Sequence, residues 1–216
     1  VELDLAISVD KQAEFAIVLD PTTGDQATFS GSGDLVFRYK PDGEMYLSGP
    51  FVVDKGGYTL EFYGLVKKRF ELVNGSSIRW TGDPIKAAMD IRARYTSESA
   101  PFPLVASSST GIADSERNRL QQPLPFSVII SVGGAVNDPK IDFGIDLDRG
   151  LRNSYPQVSS RLDQLAQSGN VDERNKQVFG LLVMNSFIQD EASGGPPSSG
   201  IATSAARNSV HGLLTD

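Results

Sequence analysis

Cysteine is absent from the 216 residues, and histidine occurs once, as His211. The first absence removes disulfide frameworks, thiolate zinc sites and thiol nucleophiles, and it suits an oxidising or a reducing compartment equally. The second leaves Ser-His-Asp chemistry a single candidate base, placed after a Gly-, Ser- and Pro-rich stretch near the end of the chain, where a tail residue is the simpler reading. A basic surplus is also missing: 20 Lys and Arg against 27 Asp and Glu give a formal charge of −7. That balance argues against a nucleic-acid binder and against docking on anionic headgroups. The longest largely apolar run, Phe126 to Val136, falls far short of the roughly 20 residues that span a bilayer. No basic-then-apolar leader opens the chain, which starts at Val1, so we read it as a piece of a longer protein whose anchor or targeting signal has been removed.

Catalytic motifs are missing too. Gly31-Ser32-Gly33 lacks the third glycine and the strand-to-helix context of a phosphate cradle. Asp142, Asp146 and Asp148 share one strand face, but a solvated polar face explains them better than a calcium site. Nothing singles out a carboxylate pair for glycoside hydrolysis. We expect a non-enzymatic protein with no metal and no cofactor. At 39% hydrophobic and 22% charged residues the chain is nevertheless a folding sequence, not a disordered one.

What is present is alternation. Leu3, Leu5, Ile7 and Val9 interleave with polar residues, and the period-2 signal of half-buried strands returns at Phe15–Leu19, Leu35–Tyr39, Met45–Leu47, Tyr58–Phe62, Phe70–Leu72, Ile78–Trp80, Ala87–Tyr95, Phe126–Val132 and Ile141–Leu147. Pro41-Asp42-Gly43, Lys55-Gly56-Gly57, Asn74-Gly75 and the two Asp-Pro pairs at residues 83–84 and 138–139 read as turns between them. Short connectors favour antiparallel neighbours. Each Asp-Pro pair precedes an alternating run, which suggests a weakly repeated unit with proline at the strand start. The expectation is a mainly β protein with one long, largely antiparallel sheet over residues 1–150, interrupted by a mobile polar connector at 97–125.

From Pro156 the spacing becomes helical, with Val158, Leu162 and Leu165 on one face and Gly169 as a stop. Asn170 with Glu173 predicts the capped start of a second helix, Val171 to about Asp190, apolar over Val178 to Val183 and so in need of cover. Residues 151–191 are thus the helical segment, and 192–216 a flexible linker with the truncated start of another element.

An alternating sheet must hide its apolar side against a second sheet, against helices or against something that is not protein. A closed sandwich or barrel and an open, curled sheet with a greasy groove give the same alternation. Glycines 31, 33, 49, 64, 133 and 134, in or beside strands, favour curvature and hence the groove.

Several runs carry a family resemblance. Gly57-Tyr58-Thr59-Leu60, Lys68-Arg69-Phe70-Glu71-Leu72, Gly75-Ser76-Ser77-Ile78-Arg79-Trp80-Thr81-Gly82-Asp83-Pro84, Ala88-Met89-Asp90-Ile91 and Ala93-Arg94-Tyr95, followed by Asp138-Pro139-Lys140-Ile141-Asp142-Phe143 and Asn175-Lys176-Gln177-Val178-Phe179-Gly180, resemble the C-terminal domain of the TamB family of AsmA-like bridge proteins. The likeness covers roughly residues 35–188. It implies a subunit of a translocation and assembly module in the periplasm, anchored in the inner membrane and reaching the outer membrane, with a long curved sheet that forms an open, taco-like groove with an apolar interior. It implies phospholipid transport between the two membranes, support of outer-membrane protein assembly, and an Omp85-family barrel partner, TamA-like, engaged through a segment beyond Asp216.

Joined to the alternation, the resemblance makes the groove a shield for phospholipid acyl chains. The candidate lining residues are Leu35, Phe37, Met45, Leu47, Tyr58, Leu60, Phe62, Phe70, Leu72, Ile78, Trp80, Met89 and Ile91, with Phe126, Val128, Ile130, Ile141, Phe143 and Ile145 on the later strands. The alternatives are a scaffold whose strand edges template client β-strands without lipid transport, and a closed β-sandwich that binds sugar. A large open apolar face also raises the expectation of a homodimer.

Overall fold

The computed structural model describes residues 2–20, 25–62, 66–106, 111 and 113–189, with side chains at 17–20, 25–26 and 61–62 outside that description. The linker and truncated element expected at 192–216, and His211, therefore lie outside the described residues. The described chain is mainly antiparallel sheet with a few helices: β1 Leu3–Val9, β2 Glu14–Asp20, β3 Asp25–Tyr39, β4 Met45–Phe62, β5 Val66–Leu72, β6 Ser77–Gly82, β7 Ala88–Ser99, β8 Leu124–Ala135 and β9 Asp138–Leu147. The strand order β1-β3-β4-β5-β7-β8-β9 runs edge to edge without closing into a barrel, with β2 also on β3 and β6 set between β4 and β7.

The chain forms two compact units, Val1–Tyr95 with Ile130–Asp142, and Thr96–Ile129 with Phe143–Asp216. In the first unit two long strands set the plan. β3 and β4 form a hairpin closed by Pro41-Asp42-Gly43, where Gly43 takes φ 91° and Glu44 N donates to the Asp42 carboxylate at 3.0 Å. β1 and β2 both lie antiparallel to β3, end to end, because Leu3 to Val9 pair with Tyr39 to Gly33 and Glu14 to Asp20 pair with Ser30 to Asp25. β5 and β6 lie end to end on β4 in the same way.

Two expected turns are therefore not hairpins. Lys55-Gly56-Gly57 runs inside β4, just past a bulge at Asp54, and Asn74-Gly75 interrupts a strand instead of reversing one, with Gly75 at φ 86°. Glycine and Asn-Gly mark either event, and only the long partner strand distinguishes them. Pro84 likewise opens a 3₁₀ turn, Pro84–Lys86, capped by Asp83, whereas Pro139 does sit at a strand start, so the two Asp-Pro pairs are not copies of one unit. Only glycine fits at position 49, where β3 and β4 approach closely: Gly49 has φ 124°, and a Cβ there would lie 2.2 Å from Asp34 O.

The interruptions line up across the sheet. Residues 10–13 separate β1 from β2, the register slips at Ser30/Gly31 opposite Asp54, and residues 73–76 separate β5 from β6. Ser76 stitches its end of this line, its Oγ donating to Val73 O at 2.7 Å and accepting from Arg92 N at 3.0 Å. At the other end Lys11 Nζ bonds the Asp54 carboxylate at 2.9 Å, and Asn74 Nδ2 donates to Asp54 O at 3.0 Å.

The second unit is a closed core. The stretch read as a polar connector holds α1 Phe102–Val105 and α2 Asp114–Leu120, because Leu104, Val105 and Leu120 are apolar anchors in a polar background and all three are buried. α3 Arg149–Ser154 and α4 Pro156–Leu165 follow; α4 buries Val158, Leu162 and Leu165 as its spacing predicts, and it packs on α1, α3 and α5. α5, Val171–Phe179, is shorter than expected. It gives way to a π-helical turn, Gly180–Met184, that ends at Asn185 in the left-handed conformation. The expected Asn170 cap does not form: Asn170 Nδ2 donates to Gln164 O at 2.7 Å, while Glu173 accepts from Arg161 and Gln177. Gln177, 1% exposed, uses its amide on both backbone groups of Ile188, at 2.7 and 2.9 Å.

Candidate functional site

Residues directly opposite in antiparallel strands share a face. In the first unit the register therefore assembles two faces of opposite character. One crosses the strands in rows: Leu5, Phe37 and Leu47; Ile7, Leu35 and Trp80; Val9, Phe51, Ile78 and Met89; Phe15 and Phe29; Tyr58 and Phe70; Leu72 and Ala93. The other carries Asp4, Ser8, Asp34, Arg38, Ser48, Thr59, Arg69, Glu71, Arg79 and Asp90 on the same strands. The bulge at Asp54 keeps this segregation intact, since inserting one residue moves the apolar set from odd numbers (47, 51, 53) to even ones (58, 60).

Every candidate from Leu35 to Ile91 whose side chain is described falls on the apolar face by this register; the side chain of Phe62 lies outside the described residues. Leu60 and Phe70 are buried; Met45 is 54% exposed; Leu35, Phe37, Leu47, Tyr58, Leu72, Ile78, Trp80, Met89 and Ile91 are half-buried. Trp80 faces Gly49 and satisfies its indole by donating to Pro84 O at 3.2 Å. Exposure rises toward β1 and the β3–β4 turn, where Leu3, Leu5, Ile7 and Tyr39 are 39–43% exposed. Among the described residues of this unit, no helix other than the 3₁₀ turn and no second sheet lies in its own chain segments.

The later candidates have a different setting. Phe126 and Val128 are fully buried, Ile130, Phe143 and Ile145 nearly so, and Ile141 is half-buried. Phe126 meets Phe187 edge to face with ring centroids 4.7 Å apart, within the helix-covered core of the second unit.

Sequence reasoning overlooked part of the face. Phe15, Phe29 and Phe51 form an aromatic cluster with centroids 5.6–5.9 Å apart, and Val53 and Ala93 complete the buried centre. Phe51-Val52-Val53 does not alternate in character, which hid it. Lys68 is the one charged side chain described on this face of β1 to β7; it donates to Tyr95 OH at 2.9 Å and lies 4.9 Å from the ring centre. On the polar face a hydrogen bond from Lys11 holds the Asp54 carboxyl below the usual carboxylate range, against partial desolvation.

The model of the TamB C-terminal domain matches residues 1–216, the whole chain. The chain belongs to the TamB C-terminal domain family. TamB is a non-enzymatic family of the cell envelope, a subunit of the translocation and assembly module, associated in general with TamA. None of the curated proteins matches the chain. No helix among the described residues is long and apolar enough to cross a membrane.

Proposed function

We propose that the apolar face of the first unit holds phospholipid acyl chains, and that this TamB-type domain shields them during transport between the inner and outer membranes. The observation that carries this reading is the register, which gathers the described candidate side chains from Leu35 to Ile91 on one face that, among the described residues, its own unit leaves without a second layer. At about 0.8 kcal/mol per buried methylene, an acyl chain lying across such a face gains enough to stay bound, and no directional bond stops it from sliding. No reaction is needed. The groove is the taco of the family, open on one side, in a periplasmic domain of a protein anchored in the inner membrane. A TamA-like barrel partner is engaged through a segment outside these residues. Phe126, Val128, Phe143 and Ile145 are buried within the second unit, and this reading does not count them in the lipid surface.

The test is organic extraction and mass spectrometry of the chain purified without detergent from cells with membranes present. Phospholipid in the wild type and none in folded Ile91→Asp is the expected result. Lipid retained by the variant overturns the reading, and a lipid-free face-to-face dimer identifies a second copy as the occupant.

A second reading has its own observation. β1 and β2 pair on one side only, with β3, so their outer N–H and C=O groups form an edge that could receive a client strand during outer-membrane protein assembly. Ala6→Pro in β1 then abolishes client cross-linking and leaves lipid in place. The closed sugar-binding sandwich has no second sheet among the described residues to build it.

A further inference from the structure

On the polar face of the first unit, at the line of interruptions, lies a cavity of about 700 Å³ that lipid carriage leaves unused. Beside it β4 has no side chain at Gly57, between Thr28 on β3 and Glu71 on β5. Arg69 fills part of that space: a Cβ at Gly57 would stand 2.8 Å from its guanidinium. Held there, Arg69 makes no ion pair with Glu71, its neighbour on the same strand face, and Glu14 on the far wall is likewise without an ion pair among the described residues. Ser30, 5% exposed, brings to the lining a buried hydroxyl with no partner among the described residues.

The charges of the lining cancel. Lys11 and Asp54 satisfy each other at 2.9 Å, which leaves Lys55 and Arg69 against Glu14 and Glu71 around one concavity whose lining also takes in Phe29, Gly56 and Leu72. A pure anion would face the two carboxylates and a pure cation the two basic groups, so the complementary ligand carries both charges. Its length follows from the topology. Glu14 on β2 and the Arg69 guanidinium, lying over Gly57 on β4, stand two strand spacings across and two residues along the strands from each other, about 12 Å, and an extended peptide of three to four residues spans about the same distance. The amides of Gln12 and Asn74 and the hydroxyl of Thr28 suit peptide groups, and the volume lies within the range of roughly 300–1,000 Å³ of small-molecule sites.

The geometry points to a site for a short, extended, zwitterionic peptide of three to four residues, its ammonium on Glu14 and its carboxylate on Arg69 and Lys55. The site is on the face opposite the acyl-chain surface and stands or falls separately from it.

The experiment is an amide-resolved NMR titration of the 216-residue chain with tetra-alanine, with N-acetyl-tetra-alanine amide and with phosphoethanolamine. The expected result is saturable shifts at Thr28, Ser30, Gly56 and Asn74 with tetra-alanine. Blocking both peptide ends, or making the exposed changes Arg69→Gln or Glu14→Gln, weakens binding about tenfold or more, since each removes a charge-assisted contact. Absence of saturable shifts, equal binding of the blocked peptide, indifference to both substitutions, or binding of phosphoethanolamine without tetra-alanine overturns the proposal.

Discussion

Leu47 and Ser48 are adjacent in β4 and point to opposite faces, so one new carboxylate at each position isolates the role of the apolar face. Leu47 is half-buried between Phe37 and Gly82, where the glycine leaves space beside it, and Ser48 is exposed between Val36 and Thr81. An acyl chain crossing Leu47 covers three or four methylenes there, about 2–3 kcal/mol at ~0.8 kcal/mol each. Leu47→Asp removes that contact and forces the carboxyl to lose water as the chain passes, a further 1–3 kcal/mol or so. The sum, roughly 3–6 kcal/mol, corresponds to affinity lower by a factor on the order of one hundred or more. Ser48→Asp adds the same charge to the chain but changes affinity little, because surface substitutions of this kind are worth within about 0.5 kcal/mol. Displacement of an environment-sensitive fluorescent fatty acid from each purified variant, with matched circular dichroism, measures the difference. Equal weakening by both substitutions, or wild-type affinity in Leu47→Asp, refutes the reasoning.

Gly49→Ala should lower unfolding free energy by more than about 3 kcal/mol in denaturant titrations, combining a positive φ with a Cβ 2.2 Å from Asp34 O; Gly43→Ala, also at positive φ but in open space, should cost only about 1 kcal/mol. Leu182, 1% exposed in the core of the second unit, should cost about 2–5 kcal/mol on truncation to Ala, and a loss under 1 kcal/mol would contradict that packing. The Asp54 carboxyl is depressed by Lys11, so its stabilising contribution is present above the ordinary carboxylate pKa and fades as pH falls through the lower folded value. A carbon-detected titration should find Asp54 moving upward in Lys11→Met, and an unchanged value would remove Lys11 as the cause.

Alternation located most strands because one face of this sheet is almost purely apolar, and helical spacing located α4 for the same reason. What alternation could not convey was which strands are continuous. Gly56 and Gly57 look like a turn in sequence but lie within β4, since glycine serves close strand approach as well as chain reversal. Asn74-Gly75 has hairpin chemistry, yet the 18-residue β4 offers β5 and β6 successive stretches of the same edge, so the chain pauses and runs on. The bulge at Asp54 explains the parity switch between Leu47 and Leu60. The short helices α1 and α2 escaped notice because α1, at four residues, is too short to show a helical period and α2 carries one apolar residue; burial of Leu104, Val105 and Leu120 is a tertiary fact that no local period announces. The cavity was invisible for a related reason, since its walls come from four separate stretches of chain, 11–14, 28–30, 54–56 and 69–74.

Val36 and Val52, each 41% exposed, project from the polar face beside Leu35 and Phe51, which gives the apolar-face account an internal control of the same chemistry. A methyl-labelled sample titrated with a spin-labelled fatty acid reads proximity to the acyl chain residue by residue. The account predicts strong paramagnetic broadening of Leu35, Leu47, Ile78 and Ile91, with Val36 and Val52 left sharp. Equal broadening on both faces, or none at Leu47 and Ile91 when the probe is bound, would contradict it.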